Sequence, residues 1–377
     1  MVASLAMRAL GFSILLAAAC SRDPVDRVAR AYVELQGDAP VEALNVLLSD
    51  LEGAPSSPRT LHLRRQLEAR AAELEIANGR KLTFDEESSL LYGVVSQPPD
   101  ESDVLRARKE LDELLPGEGA LAPRYALFQK RFLVSPEKLD AVLRKAIEES
   151  RSRTLANLDL PREERVEIEY VSGAPWPSFA RYLGNYVSVV KVNRDFPLSV
   201  GSVLEIATHE AYPGHHALSV LLESRLVRPR ALPEFSVEPL VGPDALLREG
   251  LATYGIELAF PGESRLRFEK DLLFPLAGLD PAEAERYLEV ERRVRRLAPL
   301  RVEGARQYLD GKRDRVQSAI WLEERALVPA PWAFLQFVDR YRAYVVTYTA
   351  GPELVRRRAA GSWNAFVDLL TAFDHET

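Results

Sequence analysis

Apolar residues recur at helical spacing along most of this chain of 377 residues, and one region breaks the pattern. The helical period holds from residue 25 to about residue 155 and returns from residue 202 onward. Between these regions, 166–171 alternates apolar and polar residues, and 186–192 is rich in β-branched residues, as strands are. The Gly/Pro-containing segment 173–177 predicts a loop between the two strands. The sequence therefore predicts a mainly α fold with a small β element directly before residue 202.

The first twenty residues have the features of an export signal. Arg8 is the only charged residue before Cys20, and residues 9–19 form an apolar run that ends in small residues. The run is too short for a permanent membrane span and has the length of a signal-peptide core. It resembles a bacterial lipoprotein signal, with Met1 or Met7 as the start. We expect residues 1–19 to be a signal peptide, Cys20 to be lipidated, and the protein to be lipid-anchored in a bacterial cell envelope, facing the periplasm or the exterior.

Length and composition predict one large domain with a small appendage. Hydrophobic residues make up 47% of the chain and charged residues 28%, which is ordinary for a globular protein. A net charge of -7, without a Lys/Arg cluster free of interleaved acids, argues against a nucleic-acid partner. We expect an N-terminal helical segment at 20–75 and the main domain at 76–377, which leaves the lipid anchor as the contact with the membrane.

Histidine is scarce, and three of the five histidines fall in the segment HEAYPGHH at 209–216. The usual zinc-peptidase signature has two histidines four residues apart on one helical face, with a glutamate after the first as the base. Here the fourth position is Pro213, which cannot donate the helical hydrogen bond, so the metal helix near 202–218 must kink or widen there. The spacing leaves open whether His215 or His216 joins His209 at a metal.

A zinc site with two histidines needs a third protein ligand and an open position for water. The segment REGLATYG at 248–255 predicts a helix in which the small residues Gly250 and Ala252 allow close packing against the metal helix. Glu249 would then project toward the metal. We expect zinc as the cofactor and His209, His215 and Glu249 as its ligands, with His216 as the alternative to His215.

The order and spacing of further blocks resemble the bacterial family called domain of unknown function 885, which is grouped with zinc peptidases of the gluzincin type. The resemblance covers roughly residues 75 to 360, through HEAYPGHH, REGLATYG, LTFDEESSLLYGV (82–94), LPGEGALAPRY (115–125), EESRSRTLANLDLP (148–161), YLGNYVSVVKVNRDFP (182–197), LFPLAGLDP (273–281) and YRAYVVTYTAG (341–351). It implies a gluzincin-like metallopeptidase architecture with a His-Glu…Gly-His-His metal helix and a downstream Glu ligand. It implies no particular substrate.

Hydrolysis at such a metal assigns roles to further residues. Zinc lowers the pKa of its bound water to about 7, and Glu210, next to His209, is the expected general base and later acid. The oxyanion that forms needs a hydrogen-bond donor. Tyr348 is our candidate donor, and His216 is another if His215 binds zinc.

Two residues are candidates for binding substrate. Tyr186 begins the strand 186–192, whose edge could pair with an extended peptide. Arg340 carries a guanidinium group, which suits bidentate binding of a carboxylate.

The leading hypothesis is a zinc peptidase acting on a peptide or another small amide. One alternative is a zinc hydrolase of non-peptide amides or esters, and another is a metal-binding envelope lipoprotein without turnover. Glu210 favours an enzyme, because a protein without turnover needs no base. The sequence does not distinguish peptide from non-peptide substrates, or exopeptidase from endopeptidase action.

Overall fold

The computed structural model describes residues 23–37 and 39–371, which are mainly helical. Cys20 and the predicted signal segment lie outside the described residues. Helices of seven residues or more are numbered here, and shorter helical turns are given by their ranges. The first half of the chain forms α1 (Pro24–Glu34), α2 (Val41–Glu52), α3 (Pro58–Ala77), α4 (Phe84–Tyr92), α5 (Glu101–Leu114), α6 (Leu121–Lys130) and α7 (Pro136–Leu155).

Local sequence signals account for where several of these helices begin. Thr83 and Glu86 form the reciprocal capping box of α4, which satisfies two backbone N–H groups that the helix leaves unpaired. Pro136 occupies the first position of α7, where its missing N–H is not needed. Both starts follow from signals that lie within one helical turn of the sequence.

Helices α1–α3 share an apolar cluster of their own, which includes Val28, Leu44 and Leu63. Val237, from a later loop, completes this cluster, and Arg59 on α3 pairs with the buried Glu234 at 2.6 Å. The N-terminal helices are thus packed on the main domain. The expected boundary at residue 75 falls within α3 and stays a prediction.

A three-stranded sheet follows α7 within the described residues. Its strands are β1 (Arg165–Val171), β2 (Ser178–Gly184) and β3 (Val187–Asn193), in the order β1-β3-β2, with β3 parallel to β1 and antiparallel to β2. The predicted strands β1 and β3 are present, and β2 was missed. The expectation that 186–192 offers an edge was wrong. Strand β3 pairs with β1 on one side and with β2 on the other, so it is the central strand and has no free edge.

The second half of the chain is again helical. Its numbered helices are α8 (Val200–Ile206), α9 (His215–Leu222), α10 (Pro243–Ala259), α11 (Ala284–Arg295), α12 (Ala298–Leu309), α13 (Arg315–Ala326), α14 (Pro331–Tyr341), α15 (Thr347–Ala359) and α16 (Trp363–Thr371). Shorter α and 3₁₀ turns occur at Arg228–Arg230, Pro233–Ser236, Ser264–Phe268, Phe274–Ala277, Pro281–Glu283 and Arg342–Val346, and π turns at Ala207–Ala211, Glu223–Val227 and Glu269–Leu273. Within 23–37 and 39–371, none of the helices is both long and apolar enough to cross a membrane.

Helices α10 and α15 cross at two glycines. A Cβ atom on Gly250 would lie 2.5 Å from the backbone of Gly351, and a Cβ on Gly351 would lie 2.6 Å from the carbonyl oxygen of Leu246. Gly250 was expected to allow packing against the metal helix, but its close neighbour is α15. Gly255, also on α10, allows a close approach to the metal helix region, since a Cβ there would lie 2.8 Å from Pro213.

Candidate metal centre

The metal helix is interrupted between His209 and His215. Helix α8 runs into the π turn Ala207–Ala211, and α9 begins at His215. This widening at Pro213 confirms the break expected from the sequence. The N–H of Gly214 donates to the carbonyl of Thr208 at 2.9 Å, and a Cβ at Gly214 would lie 1.8 Å from the carbonyl oxygen of His209. Only glycine fits there, so the chain can fold back and bring His215 toward His209.

His209, His215 and Glu249 form one compact group of possible metal ligands. The two histidine Nε2 atoms lie 3.2 Å apart. Nε2 of His209 lies 3.4 Å from Oε2 of Glu249, and Nε2 of His215 lies 3.1 Å from Oε1 of the same carboxylate. The histidines are 22% and 17% exposed and the glutamate 8%, so the group is embedded in the protein but open on one side.

These three residues fit a zinc ion by chemistry and by spacing. With bonds of about 2.0–2.1 Å, two ligand atoms of a tetrahedral zinc lie about 3.3 Å apart, close to the separations found here. Oε2 of Glu249 is buried and makes no hydrogen bond, which is costly for a carboxylate oxygen unless a cation completes it. Two imidazoles and one carboxylate are a ligand set of catalytic zinc sites.

The charges within the group are strongly coupled. Burial lowers the pKa of His209, but the adjacent Glu249 carboxylate more than offsets it and raises this pKa to about 9. Burial raises the pKa of Glu249, whereas His215 and His209 hold it, on balance, well below its ordinary range. The carboxylate is therefore ionised, and a cation at this point would take over the role of the imidazolium proton.

Two neighbours hold the ligand side chains in place. The buried hydroxyl of Tyr344 donates to Oε1 of Glu249 at 2.8 Å. Thr253, one turn after Glu249 on α10, lies with its hydroxyl 3.4 Å from Nδ1 of His209. A partner on Nδ1 leaves Nε2 free to face a metal, because the second nitrogen's partner fixes the ring's tautomer and orientation.

Glu210 is buried and held against the sheet. Its Oε1 accepts from the hydroxyl of Ser178 at 2.7 Å, and its Oε2 accepts from the backbone N–H of Ala180 at 2.8 Å. Both donors belong to β2, the strand that the sequence did not predict. Glu210 is separate from the three ligand atoms, as expected for a base that does not itself bind the metal.

Tyr348 lies beside the ligand group, with its ring centre 6.3 Å from that of His209. Its side chain is 39% exposed, yet desolvation by the surrounding protein, reinforced by the charges of Glu249 and Glu210, raises its pKa well above the ordinary value. The phenol therefore stays protonated and can donate a hydrogen bond. Tyr344, at 5.7 Å between ring centres, packs against it edge to face.

His216, the alternative ligand, faces a different set of partners. It is fully buried, with Nε2 at 2.9 Å from Glu164 and Nδ1 at 2.8 Å from the hydroxyl of Ser188. The structure thus brings His215, and not His216, to His209 and Glu249. The role of His216 as an oxyanion donor has no support from these contacts.

The two substrate-binding candidates lie apart from the ligand residues. Tyr186 is in the turn between β2 and β3, where the guanidinium of Arg228 covers its ring at 4.6 Å. Arg340 is exposed at the end of α14, over the ring of Tyr341 at 5.4 Å. Among their contacts described here, neither residue touches the ligand group.

Sequence reasoning missed Tyr344, Thr253 and the β2 donors. Tyr344 stands four residues before Tyr348, and Thr253 four residues after Glu249, so helical spacing places each pair on one face and could have suggested both. Strand β2 has apolar residues on both faces. Its sequence therefore lacks the apolar–polar alternation by which a strand is predicted.

No protein-family model matches this chain, and no similar sequence was found among curated proteins. Two solved bacterial structures match this chain. One, a "putative lipoprotein" from Colwellia psychrerythraea, shares 16% identity at a TM-score of 0.52, over 92% of this chain and 67% of that one. The other, a "putative lipoprotein of unknown function" from Shewanella oneidensis, shares 13% identity at a TM-score of 0.43, over 92% and 72%. At these identities the first likeness supports the fold alone, and the second carries no argument.

Proposed function

We propose that this chain is a zinc-dependent hydrolase of the gluzincin type that cleaves peptides. The observation that carries the proposal is the meeting of His209, His215 and Glu249 beside a buried Glu210. The buried Oε2 of Glu249 adds to it, because this atom has no hydrogen-bond partner and lies 3.4 Å from Nε2 of His209, a separation that a shared cation would fit.

Side chains around the metal then have separate roles in hydrolysis. Bound zinc would supply Lewis acidity, which polarises the substrate carbonyl and acidifies water. The Glu210 carboxylate, oriented by Ser178 and Ala180, takes the proton of the attacking water and gives it to the leaving amine. The protonated hydroxyl of Tyr348 donates to the oxyanion as it develops.

The distance between Glu210 and a cleft further along the outer edge of β2 supports an extended peptide as the substrate. Along this edge the N–H of Ala180 points at Glu210, and the N–H of Tyr182 points at Glu238 at 3.5 Å. These two positions are about 7 Å apart along a strand. From Tyr182 onward the edge borders a cleft of about 470 Å³ that Glu223, Glu238 and Arg248 help to line. An extended chain of several residues could contact both Glu210 and the cleft, whereas a small amide would reach only one of them.

The proposal includes a location at the bacterial cell envelope through a lipid on Cys20. Its support is the apolar run before Cys20 and the word lipoprotein in the description of the Colwellia psychrerythraea structure.

Cleavage of a peptide library with and without a chelator tests the function. We expect the wild type to cleave peptides, to lose activity on chelation and to regain it with zinc. Glu210→Gln should retain zinc but lose at least about 10²–10⁴ in rate, because the base is gone. Glu257→Gln, which breaks an exposed pair with Arg356, is the matched control and should cleave normally.

Three outcomes would count against the proposal. Cleavage that survives chelation would exclude zinc, and near-normal turnover by Glu210→Gln would exclude its role as base. Hydrolysis confined to non-peptide esters or amides would exclude the peptide substrate.

A further inference from the structure

A second polar cluster lies next to the ligand group and centres on Glu164. This residue comes just before β1, and its side chain is fully buried. A buried carboxylate is costly unless several donors satisfy it. The side chains that donate hydrogen bonds to Glu164 therefore indicate its structural role.

Three side chains converge on this carboxylate. Oε2 accepts from the hydroxyl of Tyr212 and from Nε2 of His216 at 2.9 Å. Oε1 accepts from Nε of Arg151, on α7, at 2.7 Å. Burial raises the pKa of Glu164, but His216, Tyr212 and Arg151 lower it on balance, so the group stays ionised.

The hydrogen bonds of His216 follow from the chemistry of its partners. A carboxylate can only accept, so Nε2 carries an N–H that points at Glu164. Nδ1 makes a hydrogen bond of 2.8 Å with the hydroxyl of Ser188, on β3. The ring is fixed on both sides.

The donors Tyr212 and His216 flank the short segment 213–215, which holds the end of the loop after the π turn and the first residue of α9, His215. One buried carboxylate thus holds both ends of the loop that ends in the candidate ligand His215. Because Arg151 and Ser188 belong to α7 and β3, the loop is tied to two separate elements of the domain.

We propose that Glu164 is a positioning residue for the metal centre. By holding both ends of the loop, it sets the 3.2 Å separation between the Nε2 atoms of His209 and His215. The inference rests on the proposed zinc site, and it assigns Glu164 no contact with metal or substrate. Without the carboxylate, Tyr212, His216 and Arg151 lose a shared acceptor, and the loop is free to relax.

The test is the zinc dissociation constant of Glu164→Gln, measured by competition with a chromophoric chelator, together with the zinc-induced rise in melting temperature. Glutamine keeps the size but offers a single acceptor oxygen. We expect zinc to bind roughly 10–100-fold more weakly, as when outer partners of metal ligands are removed. Tyr212→Phe removes one of the three bonds and keeps the ring, so it should show a smaller loss and remain measurable if Glu164→Gln does not fold.

Glu269→Gln is the matched control. Its carboxylate is equally buried and pairs with Arg265 at 2.7 Å instead of with the loop. A merely structural role for Glu164 would lower the melting temperature of both glutamine variants and leave both zinc constants unchanged. Wild-type zinc affinity in Glu164→Gln and Tyr212→Phe, or an equal loss in Glu269→Gln, would overturn the inference. A wild type that binds no zinc would instead refute the proposed function.

Discussion

At the scale of single residues, two tyrosines four positions apart meet the ligand group in different ways. Tyr344 is buried and donates to Glu249 at 2.8 Å, whereas Tyr348 is partly exposed beside His209. In the proposed site, the first side chain would orient a zinc ligand, and the second would face the substrate. Loss of the Tyr344 hydroxyl should therefore change zinc affinity, and loss of the Tyr348 hydroxyl should change the catalytic rate.

We expect Tyr344→Phe to weaken zinc binding about tenfold, as loss of a partner of a metal ligand does. Tyr348→Phe should bind zinc as the wild type does and lower kcat by about 10²–10³, the usual effect of losing one oxyanion donor. Zinc titration and steady-state kinetics on one cleaved peptide measure both variants. Unchanged kcat in Tyr348→Phe would remove it from the mechanism.

The sequence predicted which possible ligand residues come together better than it predicted their hydrogen-bond partners. Five histidines, three of them in one short segment with a glutamate, were enough to suggest a metal site at His209. On a regular helix, His216 would return close to the face of His209, because seven residues make nearly two turns. The π turn and the tight approach of Gly214 change that register, and they depend on contacts that the sequence alone does not reveal.

Among the helices and strands, the close approach of α10 to its neighbours determines where Glu249 lies relative to the two histidines. Glu249 reaches the histidines from α10, and α10 is set against α15 through Gly250 and Gly351. Since a Cβ at either glycine would meet backbone atoms, neither helix can accept a side chain there without moving apart.

Gly250→Ala and Gly351→Ala should each lower the free energy of unfolding by about 1–3 kcal/mol, the usual cost of overpacking. Both substitutions should also weaken zinc binding, because moving α10 away from α15 displaces Glu249 from the histidines. Gly53→Ala is the control, since it has a φ of -88° and open space around the new Cβ. Denaturant unfolding with and without zinc measures both effects. Stability and zinc affinity equal to those of Gly53→Ala would show that the crossing tolerates a methyl group.

The helices were easier to predict than the sheet for a physical reason. A helix is marked by local periodicity and by caps such as Thr83 with Glu86, which lie within one turn. Strand order depends on distant partners, and β3 has buried residues on both faces, so its sequence reveals a strand but not its place in the sheet. That is why β2 and the donors it gives Glu210 were missed.

At the scale of the whole molecule, the candidate centre joins segments that are far apart in the chain. His209 and His215 come from the interrupted metal helix, Glu249 from α10 and Tyr344 from the turn before α15, with Glu210 held by β2. A ligand that binds only this assembled arrangement stabilises the folded state by mass action. We propose that zinc is that ligand.

The zinc content of the purified protein after dialysis tests this claim most directly, measured per chain for the wild type and three variants. We expect close to one zinc in the wild type and in Glu210→Gln, whose carboxylate is bound by Ser178 and Ala180. His209→Ala and Glu249→Ala, which each remove a ligand, should retain almost none. Full zinc in either of these two, or none in the wild type, would contradict the assignment of the site.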